Sequence, residues 1–256
     1  MNTNGFISFI LDLKPGTFER FQKGVGFEDV TKGRKGNHLV DATERGVPIV
    51  RTTTQYTKPA HRFSEAHHEL VDAILDAAPL DVSRFNNALI EVYDRAYYKM
   101  GYHSDQALDL ARGSCIALYS CYENPESRAA LRTLKVKDKV SNEEHSILLE
   151  HNSVVLFSLE TNTAHAHKIV LDPVPSPSSS EPDNRWLGIT FRRSETFVRF
   201  EDGRPMLENG EQFLLADEDQ RKAFYRLRGQ ENRSMDFDYP ALDYTISAAD
   251  LLEPIE

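Results

Sequence analysis

The stretch that decides the fold reads FNNALIEVYDRAYYKMGYHSDQ and spans Phe85–Gln106. It opens with an apolar run, Phe85–Tyr93, that has the composition of a buried β-strand. It ends in His103-Ser104-Asp105, the only His-x-Asp sequence in the chain. On a strand, residues two apart point to the same face, so His103 and Asp105 can reach one cation. Two histidines and one carboxylate bind Fe(II) on one face of the ion, which leaves a second histidine to be found.

Patterns on both sides of this stretch predict an α+β protein. Apolar residues at helical spacing predict a helix over Ser64–Ala78, with Ser64 as its N-cap, and a later helix is expected over Asp217–Arg228. Many short strands predict a β-sandwich or jelly-roll core. The expected strands are Arg51–Tyr56, Phe85–Tyr93, Ser114–Tyr122, Ser146–Leu149, Ser153–Leu159, Lys168–Leu171 and Trp186–Phe191.

Two connections stand out among these strands. Ser146–Leu149 and Ser153–Leu159 look like a strand pair across the polar turn Glu150–Asn152. The segment Asp172–Asn184 is rich in proline and serine, which predicts a long exposed loop.

The composition indicates a globular protein of 256 residues, with 40% hydrophobic and 27% charged side chains. No apolar run approaches the roughly 20 residues that span a bilayer, and Phe6–Leu11 is too short for the core of a signal peptide.

Cys115 and Cys121 would lie roughly 20 Å apart on a strand, beyond the ~7 Å limit for a disulfide, so we expect free thiols. An intracellular location, cytoplasmic or nuclear, is expected.

Charge argues mildly against a nucleic-acid partner. The formal net charge is −10, whereas proteins that bind double-stranded nucleic acid neutralise its phosphates with Lys and Arg. A local basic run remains, which we interpret as a solvated strand or loop face. Its members are Arg128, Arg132, Lys135, Lys137 and Lys139.

A second histidine cluster, His67-His68-Glu69, competes for the role of a metal site. Helical metal ligands fall four residues apart rather than side by side. We therefore interpret this cluster as a solvated helix face.

The Phe85–Gln106 stretch resembles the AlkB family of Fe(II)/2-oxoglutarate dioxygenases. That family's FN-x-x-L strand leads through a tyrosine to a His-x-Asp pair. Further similar segments follow in the family's order, and together they cover roughly residues 48–200. The matching positions are Phe85, Asn86, Leu89, Tyr93, His103 and Asp105, with Ile116–Ser120, His151–Val170, Ile189–Arg192 and the lid-like RTTTQY of Arg51–Tyr56. The resemblance implies a double-stranded β-helix (jelly-roll) core with flanking helices. It implies a single domain over residues 1–256, in which 201–256 form a C-terminal extension.

The resemblance also implies the site. His165 and His167 share strand parity, so periodicity alone leaves both open as the third ligand. The family's distal histidine precedes a basic and then a β-branched residue, as His167 does here. Fe(II) would therefore be bound by His103, Asp105 and His167.

The co-substrate 2-oxoglutarate would contact Tyr93 and Arg192. Where the family has a second arginine, this chain has Trp186, and Arg185 lies one position away. A shift of one residue along a strand points the side chain to the other face of the sheet unless a β-bulge intervenes. Arg185 would therefore contact the co-substrate only if such a bulge lies between it and Arg192.

Two departures from the family bear on the substrate. Glu91 stands where the family has an asparagine that contacts the co-substrate. A carboxylate beside the carboxylates of 2-oxoglutarate costs free energy unless Arg192 or another cation pairs with Glu91. The segment Tyr119–Leu134 is altered as well.

The sequence therefore predicts oxidation of a C–H bond in a small molecule or specialised metabolite, by hydroxylation, demethylation or desaturation. Demethylation of alkylated nucleobases in DNA or RNA is the alternative, and a non-catalytic binding protein is a third.

Overall fold

The computed structural model describes residues 2–127, 130–171 and 183–256. The helices within these ranges are α1 (Thr17–Gln22), α2 (Glu65–Ala77), α3 (Leu159–Ala164) and α4 (Glu218–Arg233), with a short 3₁₀ helix at Ala248–Leu251. The strands are β1 (Asn2–Thr3), β2 (Phe6–Ile10), β3 (Glu28–Thr31), β4 (Arg34–Val40), β5 (Val47–Pro48), β6 (His61–Arg62), β7 (Asn87–Tyr93), β8 (Cys115–Tyr122), β9 (Arg132–Asp138), β10 (Glu144–Leu149), β11 (Ser153–Ser158), β12 (His165–Leu171), β13 (Trp186–Arg192), β14 (Phe197–Glu201), β15 (Arg204–Leu207), β16 (Leu214–Leu215) and β17 (Tyr244–Thr245).

A large sheet forms the centre of the fold. Its strand order is β1-β2-β11-β8-β13-β7-β4-β3, and β6 pairs with β4 in parallel. The other pairs in this sheet are antiparallel. Every residue of β7 and β8 is buried, because both faces of these strands are covered. The predicted mixture of helices and sheets is confirmed, and the sheets are mostly antiparallel.

Helices α1 and α2 cover one face of the large sheet. Phe18 and Phe21 of α1 pack with Leu70 and Ile74 of α2 against the apolar side chains of β7 and β13, such as Ile90. Helix α2 begins where the sequence predicts, because Ser64 forms its capping box.

The solvated-face interpretation of the histidine cluster in α2 is wrong for His67. Its ring is buried, accepts the backbone N–H of Ser64 through Nδ1, and contacts the Phe21 carbonyl through Nε2 at 3.0 Å. Only His68, half-buried, and Glu69, exposed, lie towards solvent. The helix N-terminus uses His67 as a cap.

A small sheet of order β10-β9-β12 lies against the other face of the large sheet. The two sheets share an apolar cluster that contains Leu118 and Trp186 from the large sheet and Leu134, Ile147 and Ile169 from the small one. Side chains on the inner faces of both sheets therefore point into one interior, and this interior holds the candidate site.

Two predictions about strands are wrong. Arg51–Tyr56 is not a strand. The Arg51 backbone N–H donates to the Asp109 carboxylate at 2.6 Å, and the Tyr56 N–H donates to Ser247 Oγ, so side chains replace a strand partner here. The strands β10 and β11 exist, but they do not pair. β10 pairs with β9, whereas β11 pairs with β8 and β2, so the chain crosses from one sheet to the other at residues 150–152.

The basic run is only partly solvated. Arg132 is buried, and its guanidinium donates to the carbonyl oxygens of Asp94 and Tyr97. Lys135 and Lys137 alternate with buried residues along β9 and lie on its outer face. Arg128 falls outside the described residues, as do residues 172–182 of the loop predicted over Asp172–Asn184.

Other expectations are confirmed. Cys115 and Cys121 are buried free thiols. The later helix expected over Asp217–Arg228 exists as α4, but it begins at Glu218, after an Asp217 cap, and continues to Arg233. Within the described residues, no helix combines the length and apolar character that crossing a bilayer requires.

Candidate active site

The His-x-Asp segment is not part of a regular strand. His103 instead forms an isolated antiparallel bridge with His167 of β12. The His103 N–H donates to the His167 carbonyl at 3.0 Å, and the reverse bond measures 2.7 Å. This bridge sets the two imidazole rings 4.8 Å apart, centre to centre. One backbone bridge therefore brings the His103 and His167 side chains together, as the sequence led us to expect.

The ligand atoms of His103, Asp105 and His167 all lie within 4.8 Å of one another. Asp105 Oδ1 is 4.0 Å from His103 Nε2 and 3.3 Å from His167 Nε2. Among the residues that the structure describes, this is the one group of His, Cys, Asp or Glu side chains arranged to hold a metal ion. The Gly101 carbonyl contacts His103 Nδ1 at 3.1 Å, which directs Nε2 of that ring towards the group.

His165 is not part of this group. It begins β12, directly after α3, and its Nδ1 contacts the Thr161 carbonyl at 2.9 Å. Its Nε2 lies 3.6 Å from Asp138, and its ring packs edge-on against Phe6. The side chain therefore lies at the end of the strand, away from Asp105.

The charge state of the group suits a metal. Burial raises the pKa of Asp105, but Arg192 and then His167 outweigh it, so this pKa lies well below its ordinary value. Burial and the neighbouring His167 lower the pKa of His103 to about 4. At neutral pH the group therefore has an ionised carboxylate and a neutral His103 imidazole, the forms that bind metal.

Asp105 is held from two sides. Arg192 of β13 donates to Asp105 Oδ2 through Nε at 3.0 Å and through Nη2 at 2.7 Å. Asn162 of α3 brackets the backbone, since its Oδ1 accepts from the Asp105 N–H and its Nδ2 donates to the Asp105 carbonyl. Arg192 Nη1 and His167 Nδ1 are buried and have no hydrogen-bond partner among the described residues.

Of the two further residues expected to contact the co-substrate, Tyr93 lies at the cavity and Arg185 does not. Tyr93 lines the same cavity as the metal group, and its hydroxyl donates to Glu91 Oε2 at 2.7 Å. Burial, with Glu91, raises the pKa of Tyr93 well above its ordinary value, so the phenol keeps its proton. Arg185 lies outside the cavity, where it pairs with Glu123 and lies over the Phe18 ring. No bulge interrupts the β7–β13 register, so Arg185 is not brought to the site.

Two compartments meet at the metal group. The inner cavity holds about 80 Å³ and is lined by the group together with Glu91 and Tyr93. An adjoining pocket of about 340 Å³ shares His103 and Asp105 and is walled by Thr52, Thr53, Thr54 and Gln106. The RTTTQY segment thus lies at the pocket wall although it is not a strand. A larger surface cleft, of about 910 Å³, contains none of the three group residues, so its size alone does not mark it as the reaction site.

Sequence reasoning missed Arg34 and Asn162. Arg34 belongs to β4 in the N-terminal region that the sequence left unplaced, and it lines both compartments. No local motif marks either residue, because their positions depend on which strands and helices become neighbours. The unexplained carboxylate of Glu91 was the one available signal that another cation is needed.

Comparison with known proteins identifies the family. The family model described as the 2OG-Fe(II) oxygenase superfamily matches residues 27–192. The chain belongs to the 2OG-Fe(II) oxygenase superfamily. It is accordingly a dioxygenase that uses Fe(II) and 2-oxoglutarate. A comparison with curated proteins gives no match.

Two solved structures are similar to this oxygenase. OsALKBH1 has a TM-score of 0.48 and 16% identity, covering 75% of this chain and 100% of that one. A Pseudomonas putida prolyl-4-hydroxylase has a TM-score of 0.42 and 14% identity, covering 75% of this chain and 94% of that one.

The residues present fit Fe(II). Two imidazoles and one carboxylate form the donor set of non-haem Fe(II) oxygenases, which leaves coordination positions open. The partnerless Nη1 of Arg192 offers a buried hydrogen-bond donor to an acid bound beside the metal.

Proposed function

We propose that this oxygenase oxidises a C–H bond of a small molecule, with Fe(II) bound by His103, Asp105 and His167. The observation that carries the proposal is the convergence of these ligand atoms at the junction of a small inner cavity and a larger pocket. When bound, Fe(II) and 2-oxoglutarate together supply the oxidising power for attack on a C–H bond. Hydroxylation, demethylation and desaturation all fall within this chemistry.

The inner cavity would take the co-substrate. Tyr93 and Arg192 line it, and Arg192 retains a buried Nη1 donor after pairing with Asp105. Arg185 has no part in this proposal because its side chain pairs with Glu123 outside the cavity. Leu118 and Phe157 make part of the inner-cavity wall apolar, which limits the room for water on that side of the metal group.

The adjoining pocket would take the substrate. Its volume of about 340 Å³ falls within the range of small-molecule sites. Gln106 is 95% buried there, and neither of its side-chain amide atoms has a hydrogen-bond partner within the part of the chain that the structure describes. Buried amides are normally paired, so Gln106 is suited to bind polar atoms of a substrate.

The fold proposal is a double-stranded β-helix within a single domain over residues 1–256. Its support is the pair of facing, mostly antiparallel sheets with the metal group between them. The C-terminal extension, residues 201–256, contributes α4, whose Asn232 and Glu231 accept the backbone N–H groups of Ser104 and Ala107. Contacts of this kind join the extension to the site.

Demethylation of alkylated nucleobases is the second candidate. Lys135 and Lys168 lie opposite each other on β9 and β12, and Lys168 Nζ lies 4.0 Å from the centre of the Tyr102 ring at the pocket wall. These lysines could attract phosphate near the entrance. The net charge of −10 favours the small-molecule substrate.

The deciding experiment pairs the oxygenase, Fe(II) and 2-oxoglutarate with a metabolite extract, followed by mass spectrometry. A small molecule that gains one oxygen, loses a CH₂ unit or loses two hydrogens, with matching succinate, is the expected result. Methylated DNA and RNA oligomers form the parallel arm, together with binding across a salt series. Salt-sensitive binding with formaldehyde release from the oligomers would contradict the small-molecule substrate and favour the second candidate.

A further inference from the structure

The inner cavity must supply a cation for each end of a dicarboxylate. Burying a carboxylate without a charged partner is costly, and Arg is the side chain best suited to bind one. Among the described residues that line this cavity, the cationic ones are Arg34 and Arg192. Arg192 already donates two of its nitrogens to Asp105 at the metal group. Arg34 is therefore the cation left for the other end.

The strand register places Arg34 at the opposite end of the cavity from Arg192. Arg34 of β4 pairs across from Tyr93 at the end of β7, whereas Arg192 of β13 pairs across from Asn87 at its start. Six residues of strand separate these two positions, which corresponds to roughly 20 Å between backbones. The two guanidinium groups reach into one cavity from its two ends.

Strand β13 offers no cation at the Tyr93 end. The residue opposite Tyr93 there is Trp186, which is buried and lies 4.7 Å from the Tyr93 ring, centre to centre. Its indole lies directly over Gly188, where an added Cβ would come within 2.0 Å of the ring. Neither Trp186 nor Gly188 is among the described residues that line the cavity, so β13 supplies no side chain to this end of it.

The Glu91 carboxylate is bound by Arg34 and Tyr93. Its Oε1 accepts from Arg34 Nε at 2.6 Å and lies 2.5 Å from Arg34 Nη2, while its Oε2 accepts the Tyr93 hydroxyl. Both partners of the ion pair are largely buried. Glu91 therefore orients Arg34 rather than repelling a bound acid, and the remaining guanidinium N–H groups of Arg34 stay available.

The charges of the cavity also balance. Arg34 neutralises Glu91 and Arg192 neutralises Asp105, so a divalent metal and a dianionic acid add no net charge. We propose that Arg34, oriented by Glu91, binds the distal carboxylate of 2-oxoglutarate, an inference that rests on the proposed function. The distal-carboxylate cation then comes from β4, on the far side of β7 from β13.

The test measures binding rather than turnover. Full-length protein loaded with Fe(II) without oxygen is titrated with 2-oxoglutarate and, separately, with pyruvate, which lacks the distal carboxylate. The variant Arg34→Met should weaken 2-oxoglutarate binding by about 30-fold or more, since a buried carboxylate loses its charged partner. Its affinity for pyruvate and for Fe(II) should change by less than about threefold. The exposed Arg112→Met variant serves as the matched control.

A double variant separates loss of Arg34 from exposure of Glu91. In Arg34→Met with Glu91→Gln, no unpaired carboxylate remains, so weak binding there traces to the missing cation. Persistent weak binding and lost preference over pyruvate are the expected results. Recovery of 2-oxoglutarate affinity in the double variant, or Arg34→Met binding it as wild type does, overturns the inference. If the wild-type protein itself fails to bind 2-oxoglutarate, the proposed function fails instead.

Discussion

Removing Arg192 tests the account of the metal group through stability. Both Arg192 and Asp105 are more than 90% buried, and two hydrogen bonds of 3.0 and 2.7 Å join them. Breaking a buried ion pair by removing one partner costs about 3–5 kcal/mol, because the other charge stays buried. Arg192→Met should therefore lower the free energy of unfolding of the metal-free protein by that amount, or the unfolding midpoint by roughly 6–20 °C.

Urea unfolding with and without Mn(II), a redox-inert substitute, is the assay. A bound divalent ion supplies a cation for Asp105, so Mn(II) should stabilise the variant more than the wild type. In the double variant Arg192→Met with Asp105→Asn, no buried charge is left unpaired, and much of the lost stability should return. A single variant that loses less than about 1 kcal/mol, or a double variant as unstable as the single one, would refute the reasoning.

Three further variants probe other parts of the structure. Burial lowers the pKa of His67 to about 4, below 6.5 in the unfolded chain, so protonation favours unfolding as pH falls between these values. His67→Gln should reduce the stability lost over that window by up to about 3 kcal/mol in urea unfolding, and an unchanged pH profile would contradict this. Asn162→Ala should weaken Mn(II) binding by about tenfold or more by calorimetry, because Asp105 loses its backbone bracket; undiminished affinity would count against that role. Gln106→Leu should raise the unfolding free energy by about 1 kcal/mol, since two unpaired polar atoms are removed, and a loss of stability would mean that the amide has a partner.

The sequence predicted the strands that carry the site because buried strands leave a local mark. β7, β8 and β13 are rich in apolar residues, and all three lie within a residue or two of the expected bounds. The metal group was likewise within reach, since His103 and Asp105 stand two residues apart. Periodicity left His165 and His167 equivalent, and the family resemblance favoured His167, which the structure joins to His103 through a backbone bridge.

What could not be predicted depends on neighbours that are distant in sequence. β10 and β11 look like a hairpin, yet apolar alternation does not state which sheet a strand joins. The pairing of Arg34 with Glu91 spans 57 residues, and no local pattern encodes it. Arg51–Tyr56 has the β-branched residues of a strand, but the carboxylate of Asp109 takes the place of a strand partner.

The central claim is that His103, Asp105 and His167 bind the Fe(II) of this oxygenase. Its most direct test is Fe(II) binding without oxygen, followed by addition of 2-oxoglutarate and measurement of the visible absorption of the complex. We predict one Fe(II) per chain and a 2-oxoglutarate-dependent band that His103→Ala, Asp105→Ala and His167→Ala each abolish, while His165→Ala retains it. A band that survives His167→Ala and disappears in His165→Ala would contradict the claim.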